Sequence, residues 1–222
     1  MQPATTRFFH ASGRLKASMR WQGMDLVQVF SNSGDLAGNN RRLHFCPQCG
    51  QRLHQKTLAK FERQRCDRCA FVHYLNPHPG ITIIIRSREG KVLIGRRSER
   101  SRYGGRWCLP GGYIEYEESF IDTAHREVAE ETGLKIRIDG IVNVVSNHLD
   151  DLHHTLVVVL TGQQSGGILR PGDDLTALRW IDGEQHKEIG YAFEADRSIV
   201  DCYFAGNIKI LPIDTGAEQR LA

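Results

Sequence analysis

Residues Gly112–Leu134 read GYIEYEESFIDTAHREVAEETGL, and they carry the clearest helix signal in the chain. Acids gather at Glu117 and Glu118 and Gly133 supplies a stop, so the pattern predicts a helix over Glu117–Thr132. On a wheel turning about 100° per residue, with Glu127 as origin, Glu131 falls at about 40° and Glu130 at about 300°. Phe120, Ile121, Ala124 and Val128 occupy the arc from about 20° to about 120° and form the apolar stripe. Three carboxylates thus border the core-facing side. They also crowd the last turn, where the helix dipole is already negative, and Glu127 with Glu131 is a like-charged i,i+4 pair costing about 0.2–0.5 kcal/mol. Arg126 lies four residues after Asp122 and four before Glu130, which offsets one acid but not three. Two readings follow from the residues: a solvated acidic face, or ligation of a hard divalent cation by carboxylate oxygen, Mg²⁺ being the usual ion where phosphates are substrates.

Outward from this helix the chain alternates short apolar runs with polar turns. Ile81–Arg86 (ITIIIR) is a β-branched run with the composition of a buried strand, turning at Glu89-Gly90 into Val92–Ile94. Ser98–Arg106 reads as a loop. Strands are expected at Lys135–Ser146, interrupted near Gly140, at Thr155–Thr161 and at Ala177–Asp182, with a last helix over Glu194–Ala205. Strands outnumber helices and the order is irregular, which predicts α/β in the mixed, α+β sense, a mixed sheet flanked by helices. Apolar runs have strand length, far below the roughly 18 residues of a spanning helix, so a membrane-spanning chain is not expected.

Before this body stand Cys46-Pro-Gln-Cys49 and Cys66-Asp-Arg-Cys69. Each pair lets two thiolates from one turn grip one ion, and the spacing between pairs suits a hairpin that sets them face to face. Four sulfurs complete a tetrahedron around Zn²⁺ and leave no open position, so the zinc is expected to be structural. A unit this small cannot bury enough apolar surface alone, and metal would substitute for the missing core. Redox or buried thiols are the alternative. Cys108 and Cys202 stand apart, and the cysteine distribution fits a reducing compartment.

Charge is unevenly distributed. Residues 1–75 hold 12 Lys+Arg against 4 Asp+Glu, while the other 17 basic and 22 acidic residues leave the body at −5. An acidic body handling an anionic substrate calls for a bound cation. The chain divides into an N-terminal extension over 1–43, expected to be poorly ordered, a four-cysteine ribbon over 44–76, a main domain over 77–212 and a tail over 213–222. Arg7, Arg14, Lys16 and Arg20 with no acid before Asp25 have the look of an organellar transit peptide. A disordered tail, or a start read too early with Met19 or Met24 following, is the other reading. The expected location is cytoplasmic, with an organelle as the alternative.

The stretch from Gly112 to Leu134 resembles the Nudix box, G-x5-E-x7-R-E-U-x-E-E-x-G-U, through Gly112, Glu118, Arg126, Glu127, Val128, Glu130, Glu131, Gly133 and Leu134. Trp107-Cys-Leu-Pro-Gly-Gly112 is similar to the W-x-L-P-G-G entry to that box. The resemblance implies a Nudix α/β/α sandwich and a hydrolase for nucleoside diphosphates linked to another moiety, yielding a nucleoside monophosphate and a phosphorylated product. It implies that Glu127, Glu130 and Glu131, with the Gly111 carbonyl, ligate Mg²⁺ or Mn²⁺, that Arg126 orients Glu127, and that Glu118 has an outer role. The proton acceptor varies in this family, leaving Glu127, Glu184 and Glu188 as candidates. Arg96 and Arg97 are candidate phosphate contacts, and Tyr103 and Trp107 candidate stacking partners for a base.

The upstream ribbon, leading through Tyr74-Leu-Asn-Pro77, resembles the zinc-ribbon Nudix branch that includes NADH and FAD pyrophosphatases. Where NADH pyrophosphatases carry an S-Q-P-W-type element, this chain has Ser146-Asn147-His148-Leu149, which argues against an NADH preference. Tyr191-Ala-Phe193 looks more like the FAD-type relatives. The expected substrate is a small nucleotide such as FAD, ADP-ribose or NADH. The alternatives are a hydrolase of damaged nucleoside triphosphates and a non-catalytic sensor whose basic ribbon (Arg52, Lys56, Lys60, Arg63, Arg65, Arg68) touches nucleic acid. A nucleic-acid partner is not the favoured one, and a homodimer is in keeping with the resemblance.

Overall fold

The computed structural model describes residues 43–150 and 153–213. The expected N-terminal extension, its transit-peptide reading and nearly all of the C-terminal tail lie outside the described residues.

The ribbon is a three-stranded antiparallel sheet of β1 (His54–Leu58), β2 (Phe61–Arg65) and β3 (Val72–His73), in that order. Its core consists of little more than Cys46, Leu53 and Cys66.

The main body is built on a six-stranded mixed sheet. Its strands are β4 (His78–Arg86), β5 (Val92–Arg97), β6 (Trp107–Cys108), β7 (Leu134–Asp150), β8 (His153–Gly167) and β9 (Leu175–Ile181). The order is β6-β5-β4-β8-β7, with β9 also paired to β5; β4 and β8 run parallel and the other pairs are antiparallel. β4 explains the ITIII run. Ile81, Ile83 and Ile85 face one core cluster while Ile84 faces the other, so the strand is buried on both sides. Helix α1 (Phe120–Thr132) closes the first face through Phe120, Ala124 and Val128; Ile121 remains half-buried. The second face is covered by α3 (Glu194–Phe204), through Ala195, Ile199 and Val200, with the short α2 (Gly183–Lys187) beside it. The result is helices on both faces of one sheet. Among the described residues no helix is long and apolar enough to cross a membrane.

Several elements differ from the sequence reading. Helix α1 begins at Phe120, not Glu117, because Ser119 caps it: its Oγ accepts the Asp122 N–H at 3.2 Å and Asp122 Oδ2 accepts the Ser119 N–H at 3.1 Å. Glu117 and Glu118 are therefore not helical. The other end agrees: Gly133 takes φ +68° and closes the helix on the Ala129 carbonyl. β7 and β8 run longer than expected, as a hairpin with register shifts that include one between Ile138 and Gly140, where the interruption was expected. Helix α2 was not anticipated; Asp182 caps it by accepting from the Glu184 and Gln185 N–H groups.

Candidate active site

The starts of β4 and β8, the end of β7, the loop before α1 and the first turn of α3 surround a cavity of about 370 Å³. Glu127 and Glu131 line it from the C-terminal half of α1, although both are buried, Glu131 to 3% exposure. The 20-residue excursion from Gly111 to Glu131 returns to itself: the Gly111 N–H donates to Glu131 Oε2 at 2.9 Å. The loop is anchored on β4, since the Pro110 carbonyl accepts from the Ile83 N–H and the Gly112 carbonyl from the Ile81 N–H, both at 2.9 Å. Gly112 leaves room that a side chain would fill, for a Cβ there would stand 2.1 Å from Glu127 Oε1.

Burial raises the Glu131 carboxyl to about 9, with the neighbouring Glu127 and Asp174 charges adding to it and the Gly111 N–H opposing. Glu127 is raised too, first by burial, against the pull of Arg126. Glu130 is exposed and bonds Arg126 Nη1 at 3.1 Å; it does not line the cavity. Arg126 donates to Glu118 from Nε at 2.6 Å and Nη2 at 2.8 Å, to Glu127 from Nη1 at 2.8 Å and to the Tyr113 carbonyl from Nη2 at 3.2 Å. This fork holds Glu118 down to about 2.

The loop between β8 and β9 brings in acids the sequence reading missed. Arg170 N–H donates to the Thr132 carbonyl and Gly172 N–H to the Glu131 carbonyl, both at 3.0 Å, so the free end of α1 docks this loop. Asp173 and Asp174 consequently line the cavity, and Asp174 pairs with Arg97 at 2.8 Å. Asp196 lines it from α3, accepting the Leu109 N–H at 2.9 Å; burial lifts its carboxyl to about 7. That acid was legible: Asp196 stands three and four residues before the buried Ile199 and Val200, on the apolar stripe of its helix. Asn147 lines the same space, and its buried Oδ1 has no hydrogen-bond partner. Val145, Val157, Val159 and Ile199 make much of the remaining wall.

The candidate substrate contacts separate. Arg97 lines the cavity, whereas Arg96 turns to Glu99 at 3.1 Å and to the Gly105 carbonyl. Tyr103 meets Phe193 edge-on at 5.4 Å between ring centroids, and it is Phe193 that lines the cavity. Trp107 packs against the core on the α3 side and does not line it. Of the three candidate proton acceptors only Glu127 does so. Glu184 is exposed and pairs with Lys187, and Glu188 caps the end of the short helix α2 that follows β9; neither lines the cavity.

The cavity carboxylates are hard oxygen donors, and burial raises three of them, Glu127, Glu131 and Asp196; such a donor set fits Mg²⁺ or Mn²⁺, which would relieve the raised groups beside it. In the ribbon, the sulfurs of Cys46, Cys49, Cys66 and Cys69 all lie within 4.8 Å of one another, the spacing of a single four-sulfur metal site. The clustered thiols share their protons: the backbone N–H of Cys69 brings the Cys66 thiol down to about 7, while, against the backbone N–H of Phe71, burial and the neighbouring sulfurs push Cys69 up to about 12.

Comparison with known proteins bears on the family and the fold. Residues 76–201 match the family model described as NUDIX domain, and residues 44–75 match the zinc-ribbon model described as Nudix N-terminal. An ADP-ribose pyrophosphatase of Methanocaldococcus jannaschii is 28% identical over 153 residues, 68% of this chain and 85% of that protein. A NAD-capped RNA hydrolase NudC of Mannheimia succiniciproducens is 33% identical over 139 residues, 62% of this chain; the chain spans about half the length of that relative, 51%. A NUDIX hydrolase structure from Nitrosomonas europaea superposes with a TM-score of 0.65 at 24% identity, covering 73% of this chain and 91% of that one, which speaks for the fold.

Proposed function

Because the chain belongs to the Nudix hydrolase family, we propose that it is a Mg²⁺-dependent pyrophosphohydrolase. Its substrate would be a nucleoside diphosphate linked to a second moiety, of the ADP-ribose, FAD or NADH type. The observation that carries this reading is the placement of Glu127 and Glu131 in the wall of a cavity that also holds Asp173, Asp174, Asp196 and Arg97 beside an apolar patch of Val145, Val157, Val159 and Ile199. Glu127 and Glu131, with the Gly111 carbonyl, would hold the divalent ion from the cavity wall, and Glu130, which lies outside the lining, would join them on giving up its bond to Arg126; when bound the ion supplies charge neutralisation for the phosphates and for the leaving oxygen.

The chain's own residues do the rest. Arg126 fixes the Glu127 carboxylate through Nη1 and is itself locked by Glu118. Arg97 offers the cavity a guanidinium for a phosphate oxygen, in exchange for Asp174. Glu127 takes the proton of the attacking water. The valine and isoleucine wall receives a ring, and Asn147 Oδ1 and Asp196 give that ring polar partners. The similarity to an ADP-ribose pyrophosphatase over most of both chains supports the dinucleotide class. In the ribbon, Cys46, Cys49, Cys66 and Cys69 would hold a structural Zn²⁺.

The test offers the protein, with Mg²⁺, ADP-ribose, FAD, NADH and 8-oxo-dGTP and follows products by chromatography. The expected result is a nucleoside monophosphate from at least one of the first three. Turnover of the triphosphate alone would replace the substrate class.

A further inference from the structure

One face of the ribbon sheet gathers aromatic rings and cations in the open. Along β2, Phe61, Arg63 and Arg65 alternate with Glu62 and Gln64, so the first three share a face. The register sets Lys56 of β1 opposite Arg63 on that face. Tyr74 follows directly on β3 and joins them: the Arg63 guanidinium carbon lies 4.5 Å from the Tyr74 ring centroid and 5.3 Å from that of Phe61. One guanidinium thus braces two rings.

Neither ring packs into the ribbon. Phe61 is 62% exposed and Tyr74 58%, whereas Phe71 packs against the small core. The charge around them is predominantly positive. Residues 44–75 hold six Lys+Arg against two Asp+Glu, a net +4, while residues 76–222 stand at −5. Glu62 lies on the opposite face, where it bonds Thr57, its partner across β1 and β2. Asp67 meets Lys56 in an exposed ion pair, a contact worth little that gives way to a phosphate at small cost. Arg65, half-buried at the margin of the face, has an Nε with no hydrogen-bond partner among the described residues.

A base stacks on an aromatic ring whatever its identity, and cations between rings meet the phosphates that join the bases. Exposed sheet faces bearing such rings take unpaired strands in this way, whereas a duplex keeps its bases stacked on one another and offers the rings nothing. An acidic peptide would meet the cations alone. We propose that this face of the ribbon binds single-stranded nucleic acid. Phe61 and Tyr74 take bases, and Lys56, Arg63 and Arg65 take phosphates. The assignment concerns the ribbon and does not depend on which substrate the catalytic cavity cleaves.

The experiment titrates short oligonucleotides of mixed sequence, 3′-labelled and with a 5′-hydroxyl, against the full chain as purified, without Mg²⁺, and follows fluorescence anisotropy. RNA and DNA are each offered single-stranded and as a duplex. At least one single strand is expected to bind, less tightly as salt rises, and the duplex to bind more weakly. Tighter binding of RNA would assign a contact to the 2′-hydroxyl; equal binding would assign stacking and phosphate alone. Phe61→Ala and Tyr74→Ala should each weaken binding by at least about fivefold, with metal content as in the parent, while Phe61→Tyr, which keeps the ring, should bind as the parent does. Arg63→Gln should flatten the salt dependence. In the ¹⁵N-labelled chain the strand should move the amides of Phe61–Arg65 and His73–Leu75. The proposal is overturned if neither single strand binds, if the duplex binds as tightly, if polyglutamate displaces the strand as well as unlabelled strand does, if both alanine variants bind like the parent, or if those ribbon amides stay in place.

Discussion

Glu118 and Arg126 form a two-pronged ion pair, Nε to Oε1 at 2.6 Å and Nη2 to Oε2 at 2.8 Å, and the guanidinium's third nitrogen reaches Glu127 at 2.8 Å. Glu118 is able to fold back this way because the Ser119 cap starts the helix after it. Arg126 is thus a positioning residue for Glu127. Lysine keeps the charge but cannot make the fork. Arg126→Lys is expected to lower kcat by about 10²-fold with little change in KM, measured by steady-state kinetics. A loss confined to KM would place Arg126 in substrate binding instead.

Gly112 tests the same carboxylate from its other side. Its backbone is not in the left-handed region, so alanine brings no conformational strain, only a Cβ 2.1 Å from Glu127 Oε1. The carboxylate, being the end of a flexible side chain, moves away. Gly112→Ala should therefore lose activity by at least about tenfold while thermal unfolding shifts by less than about 1 kcal/mol of stability. Full activity in this variant would show that the Glu127 position is not critical.

Asp196 supplies a pH test with a defined sign. Burial lifts its carboxyl to about 7, so the folded chain keeps a proton that the unfolded chain releases above about pH 4. Protons bound in the folded state exceed those in the unfolded state between these values, and this group's contribution to stability falls as pH rises from about 4 to about 7. Asparagine carries no such proton and keeps an oxygen for the Leu109 N–H. Urea unfolding across this range should show Asp196→Asn gaining on the parent as pH rises. Parallel curves would mean that Asp196 titrates normally.

Much of this site is written in the local sequence, and the remainder is not, for a physical reason. Glu127 and Glu131 were legible because a helix wheel puts them beside Ala124 and Val128, where solvated acids do not belong. The four cysteines were legible from spacing alone. Arg96 was indistinguishable from Arg97 because alternation along β5 had to be anchored by its partners; only the pairing with β9 and the Asp174 contact select Arg97. Asp173 and Asp174 sit in a Pro-Gly-Asp-Asp turn that reads as an ordinary loop. Their role comes from hydrogen bonds to the end of α1, some 40 residues earlier, which no local pattern encodes. Trp107 was a candidate stacking partner for a base, and it packs against the core cluster on the α3 side.

The ribbon should depend on its metal. With only Cys46, Leu53 and Cys66 fully buried in its core, apolar packing cannot hold three short strands. Metal analysis is expected to find about one zinc per chain. Removal by a chelator should abolish amide protection over His54–His73 while β4 to β9 keep theirs. A zinc-free chain with the ribbon still protected would contradict the assignment.

The carboxylates at the end of α1 hold a divalent ion in this reading, and Mn²⁺ binding in the presence of ADP-ribose, followed by electron paramagnetic resonance, is the decisive measurement. The chain is expected to deplete the free-ion signal, and binding should tighten as pH rises toward about 9, because Glu131 must shed its proton to become a ligand. Glu130→Gln and Glu131→Gln should lose the bound ion while remaining folded. A free-ion signal left undiminished by the parent chain, or variants that bind Mn²⁺ as it does, would contradict this reading.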